Sequence, residues 1–168
     1  MYCCCLLVRT ETDCQLRKHG CNSVEPKTSR QPVALSLDDG LSIIAAALDA
    51  SAHVRSKRDC SHLVHVIYAR AGFNYPYSRS SDLYSRIGNF QRVTDLQPGD
   101  LAVWRGHVGI IVNPAQHLFF SALNSGLGVD SYDSAHWKRR GQVRFYRYIK
   151  PSPEQIQEDR PIPTAFHK

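Results

Sequence analysis

Hydrophobic positions change period part-way along the chain. Between residues 36 and 54, Leu41, Ile44, Ala45 and Leu48 fall at i, i+3, i+4 and i+7, with Asp38 and Asp39 near the start. That spacing predicts an amphipathic helix with acidic charge at its positive end. A second helix is predicted over residues 60–71: Leu63, Val66, Ile67 and Arg70 share one side, Asp59 takes the capping position and Gly72 the stop. Residues 74–81 read as a loop and 82–87 as a short helix. Strands are expected next. Residues 101–104, 108–112 and 118–122 are rich in β-branched and aromatic side chains, with turns at Gln97-Pro98-Gly99-Asp100 and Asn113-Pro114-Ala115-Gln116. Residues 143–149 alternate Val143, Phe145 and Arg147 with Arg144, Tyr146 and Tyr148, the pattern of a half-buried strand. Helices first and an antiparallel sheet after make the expected class α+β, the N-terminal helices packed on the sheet.

The two ends follow neither period. Residues 1–34 are polar and aperiodic and are expected to be poorly ordered, while Pro151, Pro153, Pro161 and Pro163 break up a tail over 151–168. The fold is therefore expected over residues 35–150. With 168 residues, 42% of them hydrophobic and 21% charged, this is one globular domain with appendages. The longest apolar run falls far short of the ~20 residues of a membrane-spanning helix, so no transmembrane segment is expected. The net charge of +6 is spread along the chain, with Lys138-Arg139-Arg140 as its one tight cluster. Nucleic acid is therefore not an expected partner, whereas a mild attraction to anionic polymers such as bacterial cell wall fits. A monomer is expected.

Five of the six cysteines lie within the first 21 residues, and Cys14, His19 and Cys21 lack the paired spacing of common zinc sites. No metal or other cofactor is expected. Residues 1–8 hold a short apolar stretch without the basic start, length or small-residue cleavage site of a signal peptide, so none is read in the chain as given. The N-terminal cysteines could instead carry lipid or bridge to a partner.

Cys60 opens the second predicted helix, where unpaired N–H groups and the helix dipole favour an anion. A lone cysteine there is either a small buried hydrophobe or a nucleophile. His107, in Gly106-His107-Val108-Gly109-Ile110 at the start of a strand, shifts the balance. A cysteine at a helix start beside a histidine on a neighbouring sheet forms a thiolate–imidazolium pair. The flanking glycines are expected to leave space for a substrate.

Taken in order, Asp59-Cys60-Ser61-x-Leu63-Val64, Ser80-Ser81, Leu96-Gln97-Pro98-Gly99-Asp100-Leu101 and His107-Val108-Gly109-Ile110 resemble the motifs of the NlpC/P60 cysteine peptidases. The resemblance covers about residues 35–149. It implies a papain-like core, Cys60 as nucleophile, His107 as base, and a stem peptide of bacterial peptidoglycan as substrate, met outside the cytoplasm or at the cell wall. It also implies that backbone N–H groups at Cys60 serve an oxyanion hole, and that Asp59 and Ser61 lie near the amine end of the substrate. Family members orient the histidine with His, Asn or Gln on the following strand. Ser121 aligns with that position if the hairpin is two residues longer, and it is preferred to His117, which shares its face by alternation. The chain departs from the family at His62, where Gly is usual, and over residues 53–58, which replace a Tyr-x-Trp-Gly-Gly segment. His62 and His65 share a helix face, but without a third ligand they read as solvated or interfacial histidines. Two alternative readings stand beside the peptidase: a non-catalytic cell-wall-binding domain of the same fold, and an amide hydrolase or acyltransferase acting on another substrate.

Overall fold

A computed structural model describes residues 32–53, 59–85 and 88–151. The expectations for residues 1–31 and 152–168, the N-terminal cysteines among them, lie outside the described residues, as do residues 54–58 of the departing segment and the last two residues of the short helix expected over 82–87. In chain order the elements are β1 (Val33–Ala34), α1 (Leu37–His53), α2 (Cys60–Arg70), α3 (Ser80–Tyr84), β2 (Phe90–Arg92), β3 (Leu101–Trp104), β4 (His107–Asn113), β5 (Leu118–Leu123), β6 (Gly126–Ser131), α4 (Ala135–Arg139) and β7 (Arg144–Lys150). The strands form one antiparallel sheet in the order β1-β7-β3-β4-β5-β6, with β2 also paired to β7. Helix α2 packs on α1 and on strands β4 and β5, so the class is α+β.

Strand alternation sorts the sheet into two faces. Leu101 and Val103 of β3, Val108 and Ile110 of β4 and Phe120 of β5 join Ile43, Leu63, Val64 and Ile67 of the helices in the main core. Their neighbours Ala102, Trp104, Ile111 and Phe119 face the other way and close a smaller cluster with Trp137 of α4. The turn before β3 ties the layers together. Asp100 is fully buried and accepts two bonds from Arg147 of β7, at 2.9 and 2.8 Å, and one from the Gln97 N–H at 2.8 Å. Burial raises the Asp100 carboxyl, against the pull of these donors, and the carboxylate in turn holds the Arg147 guanidinium above its ordinary pKa. Within the same turn, the Gly99 carbonyl accepts from the Tyr68 hydroxyl of α2.

Helix α1 is rotated from the face its leucines predict. Ile43, Ala47 and Ala50 are buried, whereas Leu41 and Leu48 are 52% and 66% exposed. The cause is a backbone contact: a Cβ on Gly40 would lie 2.0 Å from the Pro98 carbonyl oxygen, and one on Gly99 would lie 2.6 Å from the Gly40 Cα. Only glycines allow this approach, so the glycine edge of the helix turns inward and the leucine edge turns out. Four elements have no counterpart in the sequence reading: β1, β2, β6 and α4. Val33 and Ala34, placed in the segment expected to be poorly ordered, pair with Lys150 and Ile149. Among the described residues the sheet therefore begins at Val33.

Candidate active site

Helix α2 presents Cys60 at its first position. Asp59 precedes it in extended conformation and accepts the His62 N–H at 2.9 Å, the expected N-cap bond. Its second carboxylate oxygen bonds the His62 Nδ1 at 2.6 Å. Partial burial acts to raise the Asp59 carboxyl, but the two His62 bonds outweigh it and hold the pKa below the ordinary value. Tyr77 lies over the His62 ring at 4.3 Å, and His65 packs edge-on to Tyr75 and Tyr77. Ser61, expected beside the substrate, is only 5% exposed, and its hydroxyl accepts the Ser80 N–H at 3.1 Å. That bond ties α2 to α3 and turns the hydroxyl away from solvent. Among the described residues no group of three His, Cys, Asp or Glu side chains is placed to hold a metal ion.

His107 occupies the first position of β4, opposite Trp104 across the hairpin. It is 7% exposed and stacks on Trp137 with ring centres 4.6 Å apart. Its Nε2 lies 3.0 Å from the Ser121 hydroxyl oxygen, and that hydroxyl also lies 2.7 Å from the Val108 carbonyl. A hydroxyl has one proton to give. Because the carbonyl can only accept, Ser121 donates to Val108 and accepts from His107, which assigns the proton of the neutral ring to Nε2 and leaves Nδ1 as the acceptor. His117, the alternative partner, sits in the β4–β5 turn at φ 59°, where its ring stacks on Tyr132 and its Nδ1 faces Asp133 at 3.5 Å.

Two expectations for His107 are corrected. Of the two flanking glycines, Gly109 leaves no room for a substrate, because a Cβ there would lie 2.3 Å from the Phe119 ring, whereas Gly106 has open space beside it. Nor does a resting thiolate–imidazolium pair fit. Burial, reinforced by Arg140 and by the neighbouring His136, pushes the imidazole down from 6.5 to about 4, so the ring is neutral at pH 7.

The structure thus joins His107 to Ser121 and Asp59 to His62. Cys60 packs at the edge of the main core, on the helix that lies against β4 and β5, the strands carrying His107 and Ser121. Among the described residues no hydrogen bond links Cys60 directly to His107. A cavity of about 280 Å³ opens beside His107, between the β5–β6 turn and α4. Trp137 and Arg140 border it, neither of them named as a site residue by the sequence analysis. No local pattern marks them, since α4 is a five-residue helix whose Trp137 packs on Trp104, His107 and Phe119, all well upstream in the chain.

The model of the NlpC/P60 family matches residues 49–145. Among solved structures, the fold is similar to that of a protein described as similar to lipoprotein, NLP/P60 family, from Staphylococcus aureus subsp. aureus Mu50. The TM-score is 0.55 at 20% sequence identity, over 74% of this chain and 45% of that one. The chain thus spans less than half the length of that protein, and the likeness is one of fold. No curated protein matches the chain.

Proposed function

Starting from a chain that belongs to the NlpC/P60 family, we propose that it is a cysteine peptidase or amidase that hydrolyses amide bonds in peptidoglycan stem peptides through an acyl-enzyme on Cys60. The observation that carries this reading is the Val108–Ser121–His107 relay, which leaves Nδ1 as a proton acceptor on a strand against which the Cys60 helix packs. In the proposed cycle the His107 Nδ1 takes the thiol proton as sulfur attacks the scissile carbonyl, and N–H groups at the start of α2 meet the oxyanion. The imidazolium then protonates the leaving amine, which departs from the thioester. Water, deprotonated by His107, hydrolyses the thioester and regenerates the thiol.

Ser121 is the proposed positioning residue for His107. Asp59 is proposed to hold the amine end of the substrate, in competition with His62, which already occupies its carboxylate. Ser61 is proposed as a support of α2 rather than a substrate contact. The family and the solved lipoprotein-like relative support action outside the cytoplasm or at the cell wall. Among the described residues no helix is long and apolar enough to cross a membrane.

The test is incubation of the protein with soluble muropeptides, followed by mass spectrometry. Shorter peptides are expected, and none from Cys60→Ala; equal release by the variant overturns the reading. A second reading is favoured by the neutral, enclosed His107: a domain that binds the wall without turnover. Retention on peptidoglycan with no new peptide, from wild type and variant alike, supports it.

A further inference from the structure

We propose that Arg92, Arg105 and Arg144, gathered around Tyr84 at one end of the sheet, form a binding surface for a linear polyanion of linked phosphates. The surface takes no part in the proposed acyl transfer, so it stands whether or not the peptidase reading holds.

The three arginines are far apart in sequence and meet only through the strand pairings. Arg92 of β2 lies opposite Tyr146 of β7, and Arg144 of β7 lies opposite Val103 of β3. Both therefore share the face of Tyr146 and Val103, the one that packs on the helices. Arg105 follows β3 in the turn to β4. The guanidinium carbons of Arg144 and Arg105 lie 4.0 and 5.5 Å from the centre of the Tyr84 ring. Arg92 and Arg105 are exposed, and Arg144 is half-buried. Arg144 Nη1 donates to the Tyr84 carbonyl at 2.7 Å, a carbonyl shared with the Tyr146 hydroxyl, while its Nε is enclosed without an acceptor. Among the described residues, one shared carbonyl and one ring face are all that answer the Arg144 charge.

No carboxylate opposes this surface. Among the described residues none of the three arginines forms an ion pair. Asp82, the acid of α3, accepts the Arg79 N–H and the Ser81 hydroxyl at the opposite end of its helix from Tyr84. Asp95, after β2, lies beside Arg147, which points from the other face of β7. The basic run on α4 differs: Lys138 pairs with Asp133, and Asp130 holds the Trp137 indole over which Arg140 lies. The charge that is contiguous in sequence is thus offset in space, whereas the dispersed charge is not.

Spacing and chemistry together select the ligand. Adjacent strands lie ~4.8 Å apart, so the row from β2 across β7 to the end of β3 spans about 10 Å. One small anion cannot bridge that row, whereas a chain of repeated charge can follow it. The planar guanidinium fork matches phosphate oxygens, and one phosphate can accept from two arginines at once. The Tyr84 ring is 8% exposed and already faces guanidinium groups, which leaves no platform on which a base could stack. The phosphates alone are read.

The test titrates the full chain with inorganic polyphosphate by calorimetry at several salt concentrations. Binding is expected to weaken with salt at a log–log slope of about 2, three contacts at the ~0.7 each of a single-stranded polyanion. Arg92→Gln and Arg105→Gln, both at exposed positions, should each weaken binding about fivefold and lower the slope by ~0.7. Arg139→Gln, an equal loss of charge on α4, should leave it unchanged. No binding of polyphosphate overturns the proposal, as does an equal loss from Arg139→Gln, which would reduce the effect to net charge. Two further ligands can also overturn it: poly-L-glutamate binding as tightly would remove the preference for phosphate, and oligothymidylate binding more tightly would assign the surface to nucleic acid. Cleavage of muropeptides is read separately, so inert muropeptides with site-specific polyphosphate binding would remove the peptidase and keep the surface, and the opposite pair of results would do the reverse.

Discussion

At the start of α2, Cys60 sits among polar, half-open groups: Asp59 and His62 pair in solvent and Tyr77 covers them only partly. At the start of β4 the surroundings of His107 are the opposite, with two indoles, a phenylalanine ring and a single hydroxyl. The helix end exerts its influence through dipoles and hydrogen bonds that solvent shares, whereas the sheet end acts by excluding solvent. In the proposed cycle such a division would place the tuning of the reaction on His107. The proposed nucleophile is presented by a short cap motif, whereas the proton affinity of the proposed base is set by residues from β3, β5 and α4.

Removing the wall of the dry end should have the largest effect. Trp137→Ala deletes a buried side chain in contact with Trp104, Phe119 and His107, and should cost roughly 3 to 5 kcal/mol in urea unfolding. The same change should raise the His107 imidazole from about 4 toward 6.5 in an NMR titration. An unchanged midpoint would mean that burial by Trp137 is not what depresses it. The native protein should also lose stability in acid. Because the folded-state pKa of His107 lies below the unfolded value, its contribution is complete above about pH 6.5 and is lost as pH falls through 4. The shift corresponds to about 3 kcal/mol, so His107→Gln should flatten the fall in unfolding free energy over that window by a similar amount. If wild type and variant lose stability in parallel, the shift is not real.

Ser121→Ala should cost about 1 to 2 kcal/mol, since the ring Nε2–H loses its buried acceptor. Its kinetic signature should be a lower kcat with KM little changed, as expected of a positioning residue; a change confined to KM would assign Ser121 to substrate binding instead. The smallest effect belongs to the wet end. His62→Ala keeps the backbone cap bond, so stability should move by less than about 0.5 kcal/mol, while the Asp59 carboxyl rises toward its ordinary value. Peptides with a free amine should then gain over N-acetylated ones. No gain would remove Asp59 from recognition of the amine.

How far the sequence could be read follows the same division. The cap Asp59, the helix from Cys60 and the stop at Gly72 are local signals, and all appear in place. Alternation along β5 put Ser121 and Phe119 on one face, and Phe119 and Ser121 both reach His107. The face of α1 was misread because leucine outweighs glycine in any hydrophobic pattern, whereas the deciding contact was backbone against backbone at Gly40 and Gly99. Strand β6 escaped notice because Gly126, Gly128 and Asp130 weaken its β signal, and its pairing with β5 is what supplies the missing order. The burial of His107 was invisible for a different reason: its cover, Trp137, arrives thirty residues later on a helix too short to show a period.

The pairing of Val33 with Lys150 has a mechanical consequence. The chain enters and leaves this fold on adjacent strands, about 5 Å apart. Tension applied between whatever flanks the two positions would peel β1 from β7 one bond at a time, the softest way to load a sheet, before any strain reached β4 or β5. The fold can therefore be hung between two anchored segments, or spliced into another chain at a single point, with its working parts outside the line of force.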